Sequence, residues 1–160
     1  MSHPVVVRLS HRYAAPAERV FDAWLTPNQA ARFLFATRTG NIMRCQIDAQ
    51  VGGGFLVTDR RPNADGDESV FDADHRGTYV AIDRPRVIAF ELSAPGQPDI
   101  TRVTVDFRPL SPHTCELTVT HELGDTDAAR VFQDSTRRGW ERMLATLERE
   151  LFPRRIGIQL

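Results

Sequence analysis

Two histidines and two tyrosines are the side chains in this sequence best suited to move a proton or to orient a small molecule. His11 lies in the alternating stretch PVVVRLSHRY and His121 in the alternating stretch TCELTVTH, so each shares a strand face with apolar residues. An imidazole can exchange a proton near neutral pH, and Tyr13 and Tyr79 each offer a ring face and a hydroxyl. A histidine on an apolar face is more often a hydrogen-bonded core residue. Both roles therefore stay open for His11 and His121.

Three consecutive glycines, Gly52 to Gly54 in QVGGGFLV, raise the question of a phosphate-binding loop. A phosphate loop needs a following helix that begins with a Lys-Ser/Thr pair, and a dinucleotide fingerprint needs a Gly-x-Gly-x-x-Gly turn in a βαβ unit. Here the strand-like residues FLVT follow, so we expect a tight hairpin in which the glycines adopt positive φ or allow close backbone approach. The sequence also lacks HExxH, CxxC and GxSxG motifs. It therefore predicts neither a metal site nor a cofactor.

The composition is that of an ordinary globular domain: 160 residues, 41% hydrophobic, 26% charged, with a net charge of −1. Without a basic excess or a long apolar run, we expect neither a nucleic-acid partner nor a membrane partner. The first residues, MSHPVVVRLSH, do not resemble a signal peptide, so a cytoplasmic location is expected. Cys45 and Cys115 each lie in a strand-like pattern, which predicts buried free thiols in a reducing compartment.

The elements that must position these residues are predicted from two changes of hydrophobic period. Residues 4–13 alternate as a strand, and Pro16 and Pro27 then each lie where a short helix should begin. From residue 41 the period is again two, which predicts about six further strands joined by short connections. After Gly124 the pattern becomes helical. Consecutive strands with short connections form antiparallel sheets, so the fold class is α+β.

A single long helix is predicted after Gly124, and it should end at Pro153. A strongly twisted sheet must bury one face, and this helix is its obvious cover. A curved sheet that grips one helix leaves a hollow where small molecules bind. We expect Gly139 to mark a close crossing of the helix over the sheet, with Phe132 and Thr136 nearer the mouth of the hollow. The whole forms one domain over residues 1–153, followed by a tail over 154–160.

Five stretches that together cover nearly the whole chain carry a family resemblance: YAAPAERVFDAWLTP at 13–27, IDAQVGGGFLV at 47–57, GTYVAIDRPRVIAFEL at 77–92, TCELTVTH at 114–121 and GWERMLATLEREL at 139–151. Their order and spacing resemble the SRPBCC or START-like helix-grip superfamily, in particular its branch related to the activator of heat-shock protein 90 ATPase. The resemblance implies a curved antiparallel sheet of about seven strands wrapped around a long C-terminal helix, with two short helices after the first strand. Phe33 stands where the branch usually has tryptophan.

The resemblance leaves the function open, because this superfamily hosts carriers, cyclases, hydrolases and chaperone partners. We expect non-enzymatic binding of a hydrophobic or amphipathic small molecule between the sheet and the long helix. A partner of a chaperone ATPase, and a cyclase or hydrolase that uses histidine or tyrosine, are the alternatives. The oligomeric state is also open, a homodimer included. The residues expected to line the cavity are His11, Tyr13, Phe33, Met43, Phe55, Tyr79, Phe90, His121, Phe132, Thr136, Gly139 and Met143.

Overall fold

Seven strands and three helices follow one another in the described part of this computed structural model, residues 3–63 and 68–154. Part of the polar connection at 61–69 and most of the predicted tail at 154–160 lie outside the described residues. The elements are β1 (Val5–Tyr13), α1 (Ala17–Leu25), α2 (Pro27–Ala30), β2 (Asn41–Ile47), β3 (Gly54–Pro62), β4 (Val70–Asp83), β5 (Val87–Ser93), β6 (Thr101–Ser111), β7 (Thr114–Gly124) and α3 (Asp127–Leu151).

The strands form one antiparallel sheet in the order β1-β7-β6-β5-β4-β3-β2. Strands β2 to β7 are a meander, since each pairs with the next along the chain. The first strand returns to pair with the last, and Val7 lies opposite His121 in that register. The sheet curves around α3, and the two short helices come after β1. The predicted α+β helix-grip fold of about seven strands is therefore confirmed.

The long helix begins at a capped turn and lies across the sheet. Thr126 is its N-cap, and the Thr126 hydroxyl accepts a hydrogen bond from the Ala129 amide at 3.0 Å. Asp127 lies in the first turn, where a negative charge suits the positive end of the helix dipole. The side chains of Trp140, Leu144 and Leu147 are buried against the core. Their spacing of three and four residues is that of one helix face.

Aromatic side chains fill most of the space between the sheet and the helices. Trp24 of α1 stacks on Trp140 of α3 with ring centroids 6.1 Å apart. Phe33 meets the edge of Trp24 at 5.2 Å, and Phe55 meets Phe90 almost perpendicularly at 5.0 Å. Such pairs add to the free energy gained from buried area alone. These rings therefore close most of the hollow that the helix-grip shape would otherwise leave.

The glycine run forms the predicted hairpin between β2 and β3. Gly52 has a φ of +87°, a conformation that side-chain-bearing residues rarely adopt. A Cβ on Gly54 would lie 2.4 Å from the carbonyl oxygen of Gly77, so β3 and β4 approach closely there. The Tyr79 amide donates a hydrogen bond to the Gly53 carbonyl oxygen at 2.9 Å, which connects the hairpin to strand β4. No phosphate cradle is needed to explain the run.

One expectation about strand β2 is wrong. Met43 was expected to face the cavity, but its side chain is 53% exposed. The register between β2 and β3 shifts between Ile42 and Arg44, which is the mark of a bulge. Because a bulge moves the alternation by one residue, Ile42, together with Cys45 and Ile47 beyond it, packs against the core instead.

Candidate functional site

A partly open cavity of about 140 Å³ lies between α3 and the concave face of the sheet. Its apolar wall is formed by the side chains of Phe35, Ala36, Leu92, Ala94, Trp140 and Met143. Its polar wall is formed by Thr37, Arg61, His75, Gln97, Thr136 and Arg142. His121 and Gly139 complete the lining. An apolar space with a few polar groups is the usual form of a small-molecule site.

Four of the residues expected to line the cavity do so: His121, Thr136, Gly139 and Met143. Five others are buried in the core away from it: Tyr13, Phe33, Phe55, Tyr79 and Phe90. Phe132 lies beside a separate small depression near the start of α3. His11 contacts the other half of the helix, as described below. The structure thus brings together the predicted residues of β7 and α3 and leaves the predicted aromatic residues of the sheet in the core.

Gly139 shapes the cavity in the opposite way to the one expected. A Cβ placed on Gly139 would meet no atom within 4 Å. The helix therefore does not cross closely over the sheet at this point, and the expected narrow point is wrong. The missing side chain leaves open space inside the cavity. Because glycine in a helix costs about 1 kcal/mol relative to alanine, this space comes at some expense of stability.

His121 lines the cavity with both ring nitrogens already engaged. The Trp140 indole N–H, which can only donate, gives a hydrogen bond to His121 Nδ1 at 3.0 Å. The proton of a neutral ring must then be on Nε2, which lies 2.7 Å from the Thr101 hydroxyl oxygen and donates to it. Burial lowers the pKa of His121 to about 4. His121 is therefore a neutral, fully bonded residue that links α3 to the sheet.

His75 of β4 is a second buried histidine in the lining, and its environment differs from that of His121. Its ring stacks on Phe35 at a centroid distance of 4.3 Å. Burial and the nearby positive charge of Arg61 lower the pKa of His75 to about 4. Its Nδ1 is buried and has no hydrogen-bond partner among the described residues. The Ala73 backbone is close enough to the ring to favour its protonated form, but it gives Nδ1 no hydrogen bond of normal geometry, and buried atoms of this kind are uncommon.

Arg61 is held at the cavity wall by a buried carboxylate. Its Nε donates to Asp59 Oδ2 at 2.7 Å, and the Thr37 hydroxyl donates to the same oxygen at 2.6 Å. Asp59 is fully buried, while the Arg61 side chain is 26% exposed. The second cation of the lining, Arg142, makes no ion pair or hydrogen bond among the described residues. The polar wall therefore carries two guanidinium groups against one carboxylate.

A groove of about 480 Å³ borders the cavity and shares Ala36, Thr37 and Arg142 with it. The groove has four arginines and one acidic residue: Arg32, Arg38, Arg142, Arg149 and Glu150. The surface around the mouth is thus strongly basic, although the whole chain has a net charge of −1.

A family model described as "Activator of Hsp90 ATPase homolog 1-like protein" matches residues 14–151. The chain belongs to this family. Every residue that lines the cavity lies inside the matched segment. No curated protein matches the chain.

Solved structures of other proteins share the fold of this family member. Protein CV1439 from Chromobacterium violaceum is 24% identical with a TM-score of 0.76, over 94% of this chain and all of that one. An HSP90 activator from Plasmodium falciparum, PFC0360w, is 19% identical with a TM-score of 0.67, over 92% and 97% of the two chains. An AHSA1-like protein from Aeromonas hydrophila is 22% identical with a TM-score of 0.66, over 89% and 90%. At these identities the likeness shows the fold alone.

Two of the four acid–base residues expected near the cavity, His11 and Tyr13, contact the C-terminal half of α3 in this AHSA1-family protein. The Tyr13 hydroxyl donates to the Leu144 carbonyl at 2.9 Å, and burial raises the pKa of Tyr13. His11 Nε2 lies 2.6 Å from a Glu148 carboxylate oxygen. Both side chains therefore connect β1 to the C-terminal half of the helix rather than face the cavity.

Ten of the fourteen lining residues were absent from the expected lining, and Arg61 and His75 are the two of them on which the chemistry of the site depends most. The alternation of the strands could have identified His75 as inward-facing, because it shares its strand face with Gly77 and Tyr79. Arg61 likewise follows Phe55, Val57 and Asp59 in alternate positions. The polarity of Arg61 and His75 suggests that they face solvent. A charged residue can nevertheless lie at the end of an inward strand face, where that face borders a cavity.

No group of three or more His, Cys, Asp or Glu side chains among the described residues is arranged to hold a metal ion. None of the helices described has the length and apolarity needed to cross a membrane. The two cysteines are unpaired, and burial raises the pKa of both Cys45 and Cys115 to about 11. Neither thiol is therefore activated as a nucleophile.

Proposed function

We propose that this protein binds a small apolar or amphipathic molecule in the cavity between α3 and the sheet, without catalysing a reaction. The observation that carries the proposal is the space of about 140 Å³ opposite Gly139, where an added Cβ would touch nothing. Around it the core is filled by interlocking aromatic rings. A space left open beside Trp140 and Met143 is suited to a molecule that completes the packing.

The cavity volume sets the size of the ligand. An engineered apolar cavity of about 150 Å³ is known to bind benzene, so the enclosed part of a ligand here would be about one aromatic ring. Burial of six carbon groups at about 0.8 kcal/mol each contributes roughly 5 kcal/mol. That free energy corresponds to a dissociation constant of roughly 0.2 mM at best, before the cost of association is counted. Binding should therefore be measured by a method that detects weak complexes, such as protein-observed NMR.

The placement of the ionisable residues supports binding over catalysis. Both nitrogens of His121 are engaged within the protein. Tyr13 and Tyr79 are buried in the core away from the cavity. General acid–base catalysis needs a side chain within hydrogen-bond reach of the reacting group. The alternative of a cyclase or hydrolase would depend on His75 alone, whose pKa of about 4 makes it a weak base.

Substitution of Gly139 tests the proposal. The variant Gly139→Leu places a branched side chain in the open space and also favours the helix. We expect the folded variant to lose the chemical-shift changes that benzyl alcohol produces in the unsubstituted protein. The matched control is Val131→Leu, because Val131 lies on the same helix and is 75% exposed. Unchanged binding by Gly139→Leu would overturn the proposal. Native mass spectrometry of freshly purified protein would report a bound molecule and the oligomeric state together.

Action on a chaperone ATPase is the second candidate, and the family match favours it. The family is named for Hsp90 ATPase activation, and the Plasmodium falciparum structure is described as that of an HSP90 activator. Such a protein would act through its surface. Purified Hsp90 should then bind the chain and hydrolyse ATP faster in its presence, and Gly139→Leu should leave both effects unchanged. Absence of binding at micromolar concentrations would exclude this function.

A further inference from the structure

The polar side chains of the cavity converge from three neighbouring parts of the chain. Arg61 lies on β3, His75 on the adjacent strand β4, and Thr37 in the connection after α2. Val57 is paired with His75 in the sheet, and Arg61 lies four residues further along the same strand face. The cavity lining thus combines polar side chains from the sheet and the α2–β2 connection with the apolar side chains of Trp140 and Met143 from α3. A ligand that complements both walls must be amphipathic.

The guanidinium group of Arg61 is held in place and has donors available for an anion. Asp59 occupies its Nε, at 2.7 Å, and the two terminal nitrogens have no hydrogen-bond partner among the described residues. A guanidinium group presents paired donors that match the two oxygens of a carboxylate. Because the Thr37 hydroxyl holds the same Asp59 oxygen at 2.6 Å, the carboxylate that orients Arg61 is itself fixed. Little side-chain entropy then remains to be lost on binding.

The charges near the polar wall leave an excess of one positive charge. Arg61 and Arg142 contribute two positive charges, and Asp59 contributes one negative charge. Asp74 also lies near His75, but its carboxylate accepts a hydrogen bond from the Thr58 hydroxyl at 2.7 Å. Thr58 alternates with Val57 and Asp59, so this contact lies on the other face of the sheet. A singly charged anion would neutralise this excess positive charge.

His75 supplies an independent sign that a ligand group is missing. Its side chain is only 7% exposed, and Nδ1 has no partner among the described residues. A buried polar atom without a partner costs free energy, and native structures rarely keep one without a reason. A neutral imidazole with its proton on Nδ1 would donate to a carboxylate oxygen and remove this cost.

The basic groove beside the cavity also favours a negatively charged ligand. Its lining carries four arginines and one glutamate, and Arg142 belongs to both the groove and the cavity. A concave surface of one charge sign raises the local concentration of oppositely charged molecules and speeds their association.

We propose that the ligand is a small monocarboxylate, with an apolar body on Trp140 and Met143 and a carboxylate bound by Arg61 and Arg142 beside His75. This inference rests on the proposed function, because it concerns the same cavity. It adds the chemical class of the ligand and assigns a role in binding the carboxylate to three residues, Arg61, Arg142 and His75.

The test compares two probes of similar size that differ in charge. Benzoate and benzyl alcohol are titrated separately into the full chain at pH 7.5 and followed by NMR. We expect benzoate to bind at least about tenfold more tightly than benzyl alcohol, in line with charge-assisted hydrogen bonds. The preference should fall in 0.5 M NaCl, because part of it comes from charges near solvent.

Three variants assign the preference to residues. Arg142→Gln removes no ion pair among the described residues, and it should weaken benzoate binding about fivefold or more, with a smaller effect on benzyl alcohol binding. The double variant Asp59→Asn with Arg61→Gln removes both partners together, so no buried charge is left unpaired, and it should abolish the preference. Arg138→Gln is the control, since Arg138 is exposed on the same helix and does not line the cavity.

The outcomes separate this inference from the proposed function. If benzyl alcohol binds as tightly as benzoate or more so, the carboxylate assignment is overturned while the proposed function stands. If neither probe binds, both are overturned. If benzoate is preferred but neither Arg142→Gln nor the double variant reduces the preference, the assignment to these arginines is overturned.

Discussion

The two halves of α3 cover the same sheet in different ways. In the C-terminal half, Leu144 and Leu147 are fully buried, and the Tyr13 hydroxyl binds the helix backbone at Leu144. In the N-terminal half, Thr136 and Gly139 are only half-buried and border the cavity. Trp140, Arg142 and Met143 form the boundary, because they still line the cavity, and Trp140 there stacks on the core and donates to His121.

This contrast separates stability from recognition within one element. The sealed half buries branched aliphatic side chains, each of which stabilises the fold. The open half has a glycine and a threonine at positions where large apolar side chains would close the gap. Cavities lower stability, and binding sites commonly give up stability for function. Substitutions in the sealed half should therefore mainly lower the free energy of unfolding. Substitutions in the open half should mainly change ligand binding.

The largest expected effect is from Leu147→Ala in the sealed half. Removal of a fully buried leucine leaves a cavity and should lower the free energy of unfolding by about 2–5 kcal/mol. Urea denaturation at pH 7.5 would measure it. Val131→Ala, at a position 75% exposed in the other half of the helix, should change stability by less than about 0.5 kcal/mol. Equal losses from both variants would contradict the division.

Acidification should lower the free energy of unfolding through two histidines of the open region, because His75 and His121 both line the cavity. The pKa of each is about 4 in the folded protein, against about 6.5 for an unfolded chain. Between these values the unfolded chain binds protons that the folded chain does not, so stability falls as pH decreases. From pH 7.5 to pH 5 the two residues together should lower the free energy of unfolding by about 2–4 kcal/mol.

Urea denaturation at several pH values would check this dependence. The range stays above pH 5 because carboxyl groups with lowered pKa, such as Asp22 beside Arg84, lose their contribution only when they protonate at lower pH. The variant His75→Gln should remove about half of the slope. A stability that is flat between pH 7.5 and pH 5 would contradict the buried, neutral state of both histidines.

The fold could be predicted from the sequence because its signals are local. Alternation marks β1 and β7, and the change to helical spacing after Gly124 marks α3. The same periods found His121 and Thr136, since each lies where an inward strand face or helix face meets the hollow. The bulge at Met43 could not be found this way, because a register shift is set by the partner strand rather than by the residue itself.

The extent of the cavity could not be predicted because it depends on how side chains fill volume. Phe55, Tyr79 and Phe90 lie on inward faces as expected, yet they pack on one another and leave no space there. Periodicity gives the direction of a side chain but not its packing partners. Arg61 and His75 were not among the expected residues, since charged and polar residues on an inward face are rare.

A smaller effect is expected from Tyr13→Phe, which alters the sealed half without changing its shape. The variant loses one buried hydrogen bond, from the phenol to the Leu144 carbonyl. Such a loss costs about 0.5–1.5 kcal/mol. Benzyl alcohol binding should be unchanged, because Tyr13 does not line the cavity. A change in the dissociation constant beyond about twofold would mean that the two halves are coupled.

The smallest effect on stability, and the one of opposite sign, is expected from Gly139→Ala. Alanine relieves the cost of glycine in a helix interior, and an added Cβ there meets no atom within 4 Å. The free energy of unfolding should rise by about 0.5–1 kcal/mol. The new methyl group also occupies part of the cavity, so benzyl alcohol should bind more weakly. A variant that is both more stable and a weaker binder would show that glycine is kept here for the space it leaves, whereas unchanged binding would mean that the ligand does not reach this part of the helix.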